Sequence, residues 1–77
     1  MSSKVYYFAS LKEHVGSSEH ELDFTQSLTV KDVWFQANAA LVLPKSTLAA
    51  INMDYVAWDS LVSDGDVVAF FPPVTGG

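Results

Sequence analysis

The stretch Ser63-Asp64-Gly65-Asp66-Val67-Val68-Ala69-Phe70-Phe71-Pro72-Pro73 decides the fold, because it joins a tight turn to an uninterrupted apolar run that ends at two prolines. Aspartate favours turns by bonding its own backbone, and glycine supplies a positive φ, so residues 63–66 are a turn. The apolar run after it, residues 67–71, reads as a strand. Lacking polar alternation, such a strand belongs in the centre of a sheet, paired with the first strand of the chain. Period-two geometry then divides its side chains. If Val68 and Phe70 meet a helix, Ala69 and Phe71 lie on the opposite face. Pro72 and Pro73 fix their own φ and hold the residues before them extended. The expected division is a folded domain over residues 1–71 and a projecting tail over residues 72–77.

Working outward, residues 4–10 are rich in β-branched and aromatic types and form a strand, with Val5, Tyr7 and Ala9 on one face and Tyr6 and Phe8 on the other. Residues 11–15 make a short helical turn stopped by Gly16. Residues 19–24 alternate, with His20, Leu22 and Phe24 opposed to Glu19, Glu21 and Asp23, as in an edge strand protected by charge. Thr29-Val30-Lys31-Asp32 has capping-box spacing with Asp in place of Glu. The helix it starts carries Val30, Val33, Trp34, Ala37 and Leu41 on one face and is expected to close at Pro44. Residues 48–52 and 55–58 are two short strands joined by Met53-Asp54. The result is an α+β fold, a mixed sheet of about four to five strands with one main helix on one face.

Composition narrows the function classes. At 77 residues the chain is one small domain, with modest intrinsic stability. Four basic residues against nine acidic ones give a net charge of −5, which repels nucleic acid and anionic membranes. The absence of cysteine excludes disulfides, a thiolate zinc site and a thiol nucleophile on this chain. No apolar stretch approaches the roughly 20 residues needed to cross a bilayer, and residues 1–4 lack the pattern of a secretory signal, so a cytoplasmic location is expected.

Conventional catalytic equipment is thin. His14 and His20 fall on different elements without a second ligand at helical spacing, and Ser27, Ser46 and Ser60 have no histidine nearby in sequence. Trp34 belongs to the helix stripe and reads as core. What remains is the end, Gly76-Gly77. Two glycines can be a frayed terminus. They can also thread a channel too narrow for any side chain and bring a main-chain carboxylate into another protein's active site. A carboxylate is a poor electrophile and needs conversion to an acyl-adenylate or thioester before sulfide attacks it, which demands an ATP-using enzyme with its own phosphate site.

The ending Asp64-Gly65-Asp66-Val67-Val68-Ala69-Phe70-Phe71-Pro72-Pro73-Val74-Thr75-Gly76-Gly77 closely resembles the small-subunit family of molybdopterin synthase, the MoaD family of ubiquitin-like sulfur carriers. Val5-Tyr6-Tyr7-Phe8-Ala9 with Leu11-Lys12-Glu13, the Thr29-Val30 helix start, and Ala50-Ile51-Asn52 with Val56 are similar to it too. The resemblance implies a ubiquitin-like β-grasp fold. It implies that an E1-like (MoeB-like) enzyme spends ATP to adenylate Gly77 and that a sulfurtransferase or cysteine desulfurase system converts it to a thiocarboxylate. The tail, Pro72, Pro73, Val74, Thr75, Gly76 and Gly77, then enters a large (MoaE-like) subunit within a heterotetramer and donates sulfur to cyclic pyranopterin monophosphate. Family interface positions correspond to Phe8, Tyr55 and Phe71, and Lys12 stands where a basic residue contacts the partner. The implied chain binds no cofactor or metal itself and is a sulfur-donor subunit whose active site lies mostly on its partner. Residues 35–47 follow no family pattern. Three alternatives share the architecture: a related carrier for thiamine or tRNA thiolation, a protein modifier, and a ubiquitin-like interaction module with an inert tail.

Overall fold

Val67–Phe71 forms the central strand, β7, of a five-stranded mixed sheet. The structure, a computed structural model, describes residues 1–38, 41, 43 and 46–72. On one side β7 runs parallel to β1 (Ser2–Tyr7), with Val5 opposite Val68 and Tyr7 opposite Phe70. On the other it runs antiparallel to β4 (Leu48–Ile51), with Ala49 opposite Phe70 and Ile51 opposite Val68. The edges are β2 (Glu19–Asp23), antiparallel to β1, and β5 (Asp54–Val56), antiparallel to β4. Two short segments, β3 (Leu28–Thr29) and β6 (Leu61–Val62), pair as a separate ribbon that the sequence reading did not foresee.

Two helices complete the described residues. The first, α1 (Ser10–Val15), ends where expected: Gly16 takes a left-handed φ of 83° and donates its N–H to the Lys12 carbonyl at 2.9 Å. Strand β1 stops at Tyr7, earlier than expected, because Ala9 turns at φ 53° to begin α1 instead of extending the strand. The second helix, α2 (Val30–Ala37), starts on a complete capping box. Thr29 Oγ1 accepts from the Asp32 amide at 3.2 Å, and Asp32 Oδ2 accepts from the Thr29 amide at 3.1 Å. The next amides, of Val30 and Lys31, donate to the carbonyls of Ser60 and Trp58, so loop carbonyls satisfy the start of the helix.

The helix ends at Ala37, not near Pro44, which lies outside the described residues. Asn38 leaves helical geometry at φ −135° and ψ 53° while its amide still bonds the Trp34 carbonyl. Its side chain instead donates to the Tyr7 hydroxyl at 2.9 Å in the core. Leu41 still packs against the core, and its amide donates to the Asn38 carbonyl. The β5 strand likewise stops at Val56.

The core lies between α2 and one face of the sheet. Val5, Tyr7, Ala49, Val68 and Phe70 project from the strands onto Val30, Val33 and Trp34. Phe70, fully buried, is the hub. Tyr7 stacks on it at 6.0 Å, Trp58 stacks at 5.6 Å, and Trp34 meets it edge-on at 5.2 Å. Trp34 is thus core, as expected, and Trp58 is a half-buried lid on the same ring.

Candidate functional site

Alternation along β7 sends Val67, Ala69 and Phe71 to the sheet face that α2 does not cover. Cross-strand register adds the neighbours: Tyr6 and Ala50 oppose Ala69 from β1 and β4, and Tyr55 opposes Ala50 from β5. Phe8 continues the β1 ladder, its amide bonded to the Phe70 carbonyl at 3.2 Å, and its ring stacks on Phe71 at 4.8 Å and 6°. Tyr55 tilts against Phe71 from the other side at 5.9 Å. Phe8 is 45 % exposed and Tyr55 68 %, so among the described residues these rings make an aromatic band that no helix covers.

The band surrounds a hollow of about 400 Å³ lined by Tyr6, Phe8, Ala50, Tyr55, Ala69 and Phe71, with Met53 and Val67 at its border. Its cause is residue size. The facing pair Ala50 and Ala69 forms a low floor, while aromatic rings on flanking positions form the walls. Met53, 94 % exposed, stands beside it on a hairpin turn in which Asn52 and Met53 both take positive φ.

The strand bearing this face is held in register at its start. Asn52 Oδ1 accepts from the Val67 amide at 2.9 Å, and Asn52 Nδ2 donates to Asp66 Oδ1 at 3.0 Å. Asp66 Oδ2 accepts from the Ser63 amide, the Ser3 hydroxyl donates to the Asp66 carbonyl, and Asp64 Oδ1 accepts from the Ser2 amide. The two aspartates are therefore structural, as turn chemistry implies. They tie β1, β4 and β7 together below the hollow.

On the covered face, Tyr7 accepts from Asn38 and lies 3.0 Å from His20 Nδ1. With Asn38 donating, the phenol proton is free for Nδ1, which satisfies all three groups. Burial raises the Tyr7 pKa above its ordinary value, against a smaller opposing effect of the Asn38 bond. This network escaped sequence reasoning because its members are far apart in the chain.

Of the residues expected to meet a partner, Phe8, Tyr55 and Phe71 converge on the open face. Lys12 is exposed on α1 and is not among the residues lining the hollow. Pro72 is half-buried directly after β7. Pro73, Val74, Thr75, Gly76 and Gly77 lie outside the described residues. Met53 and Ala50 were missed, although the two-residue turn and strand alternation carry the signal for both. No helix among the described residues is long and apolar enough to cross a membrane.

A family model described as the ThiS family matches residues 5–77. The chain belongs to the ThiS family. Within it, the chain is 40 % identical to the molybdopterin synthase sulfur carrier subunit of Escherichia coli, over 96 % of this chain and 98 % of that one. It is also 40 % identical to the Haemophilus influenzae protein of the same name, over 95 % and 96 % of the two chains. Among solved structures it resembles Haloferax volcanii small archaeal modifier protein 1, with a TM-score of 0.81 at 25 % identity over 95 % of this chain and 98 % of that one. The ubiquitin-like β-grasp architecture that the resemblance implied is the fold of these neighbours, and the described residues hold the short helix α1 beside the main one.

Proposed function

We propose that this chain is the sulfur carrier subunit of a molybdopterin synthase. The observation that carries the reading is the path of β7: the strand that sets Phe71 on the open aromatic face leads directly into Pro72 and the Gly76-Gly77 ending. One segment thus holds both the docking surface and the reactive arm. Near full-length identity of 40 % with proteins named for that role supports it.

In this reading the Gly77 carboxylate attacks the α-phosphate of ATP on an E1-like enzyme, releasing pyrophosphate and leaving an acyl-adenylate. A sulfurtransferase or cysteine desulfurase presents a persulfide whose outer sulfur attacks the acyl carbon, and AMP departs with the bonding pair. A second thiol cleaves the resulting acyl disulfide, leaving the thiocarboxylate on Gly77 and a disulfide between the two thiols. The open face docks on a large synthase subunit, and the narrow tail carries the sulfur to cyclic pyranopterin monophosphate. Cations for the ATP and substrate phosphates come from the partners, which suits a chain of net charge −5. In this reading the chain itself binds no cofactor and works in the cytoplasm alongside its ATP-using activating enzyme. Two carriers on a large-subunit dimer make the heterotetramer.

Reconstitution with the large subunit, activating enzyme, ATP and a sulfur donor tests the proposal: dithiolene should form with the full chain and not after deletion of Gly77. Equal product from the deleted chain would refute it. The likeness to a modifier protein favours a second reading, in which the activated end forms an amide with lysines of other proteins. That reading predicts conjugates of higher mass that survive thiol treatment.

A further inference from the structure

The open face is electrically lopsided. Directly opposed residues of an antiparallel pair share a face, and the register sets Glu19 beside Tyr6, Glu21 beside Lys4 and Asp23 beside Ser2. Since Tyr6 lines the hollow, all three acids of β2 border the same face, and all three are exposed. Their intervening neighbours His20 and Leu22 pair with Val5 and Ser3 toward the helix side. Lys4 is the one basic residue among the positions that register assigns to this face. The opposite border presents Tyr55 and Met53 to this face, while exposed Asp54 between them is paired with Ile51 and so directed toward the helix side. Crossing the sheet from β2 to β5, the surface runs from acid, through the alanine-floored hollow, to aromatic and thioether.

Resting on the sulfur-carrier reading, we infer that the partner's docking surface carries an apolar side chain that fills the Ala50–Ala69 hollow and a basic group set to one side of it, over Glu19 and Glu21. The hollow fixes where the partner sits. The acidic border fixes which way round it sits, because a rotated partner would bring its cations over Tyr55 and Met53 and leave the acids unmatched. The same charge argues against other occupants. Anionic lipid and nucleic acid are repelled, and a second copy docked through the same face offers only Lys4 from that face against three acids.

Calorimetric titration of the cognate large synthase subunit into the full chain tests this with two variants. Ala69→Phe fills the hollow on the face away from the core; it should weaken binding about 100-fold while the thermal midpoint stays near wild type. The double variant Glu19→Lys/Glu21→Lys lies on an exposed edge and should weaken binding about tenfold at low salt. Wild-type affinity should fall between about 50 and about 300 mM NaCl, and that dependence should flatten in the double variant. A wild-type complex that both variants form equally well, with unchanged salt dependence, overturns the inference alone. Absence of any wild-type complex overturns the carrier reading and the inference together.

Discussion

The two faces of one sheet, built from alternate residues of the same strands, have opposite fates. On β7, Val68 and Phe70 are fully buried under α2, whereas Ala69 and Phe71 face outward. Both faces are aromatic: Tyr7, Phe70, Trp34 and Trp58 cluster on one, and Phe8, Phe71 and Tyr55 on the other. Apolar character alone therefore does not mark a core. The difference is cover: among the described residues the one main helix closes only one face. In the proposed sulfur-carrier reading, the open face is kept apolar for the partner subunit.

That contrast can be broken by substitutions one residue apart. Phe70→Ala should cost about 3–5 kcal/mol, because it empties the site where Tyr7, Trp34 and Trp58 meet. For so small a domain this approaches the whole of its stability, and thermal denaturation should show a transition at or near room temperature. Phe71→Asp should instead leave the folded domain within about 1 kcal/mol of wild type and weaken large-subunit binding by about 2 kcal/mol or more. A Phe71→Asp chain that unfolds, or that still binds normally, would remove the distinction between the faces.

Tyr7→Phe sharpens the contrast on the covered side. It leaves Asn38 and half-buried His20 without their shared partner and should cost about 1–3 kcal/mol in urea denaturation at neutral pH. The pKa of Tyr7 is raised from 10.0 in the folded state, so its stabilising contribution is fully present below pH 10.0 and is lost as pH rises through the folded value. The wild type should therefore lose more stability than Tyr7→Phe between about pH 9 and pH 11. Thr29→Ala, removing one half of the capping box, has the smallest expected effect, about 1 kcal/mol on stability and none on partner binding.

Much of this was legible in the sequence because the signals are local. The Asp64-Gly65 turn, the alternation of β2, the unbroken apolar run of β7, the Thr29–Asp32 box and the Gly16 stop each depend on residues within a few positions, and each appears as expected. From them followed the sheet, its covered face and the pairing of Phe8 with Phe71. What stayed hidden depends on partners distant in the chain. The apolar stripe continues to Leu41, but Asn38 leaves the helix and bonds Tyr7, 31 residues away. The β3–β6 ribbon has two residues per strand, too few to show a period. The hollow requires Ala50 to stand opposite Ala69, a matter of register that neither residue announces.

The mass of the C-terminal peptide, isolated from cells that contain the activating enzymes, tests the central claim most directly. The sulfur-carrier account predicts a population in which one oxygen of the Gly77 carboxylate is replaced by sulfur, abolished when the chain is extended by one residue. A peptide ending only in carboxylate under conditions of active cofactor synthesis, or thiolation that persists in the extended chain, would contradict it.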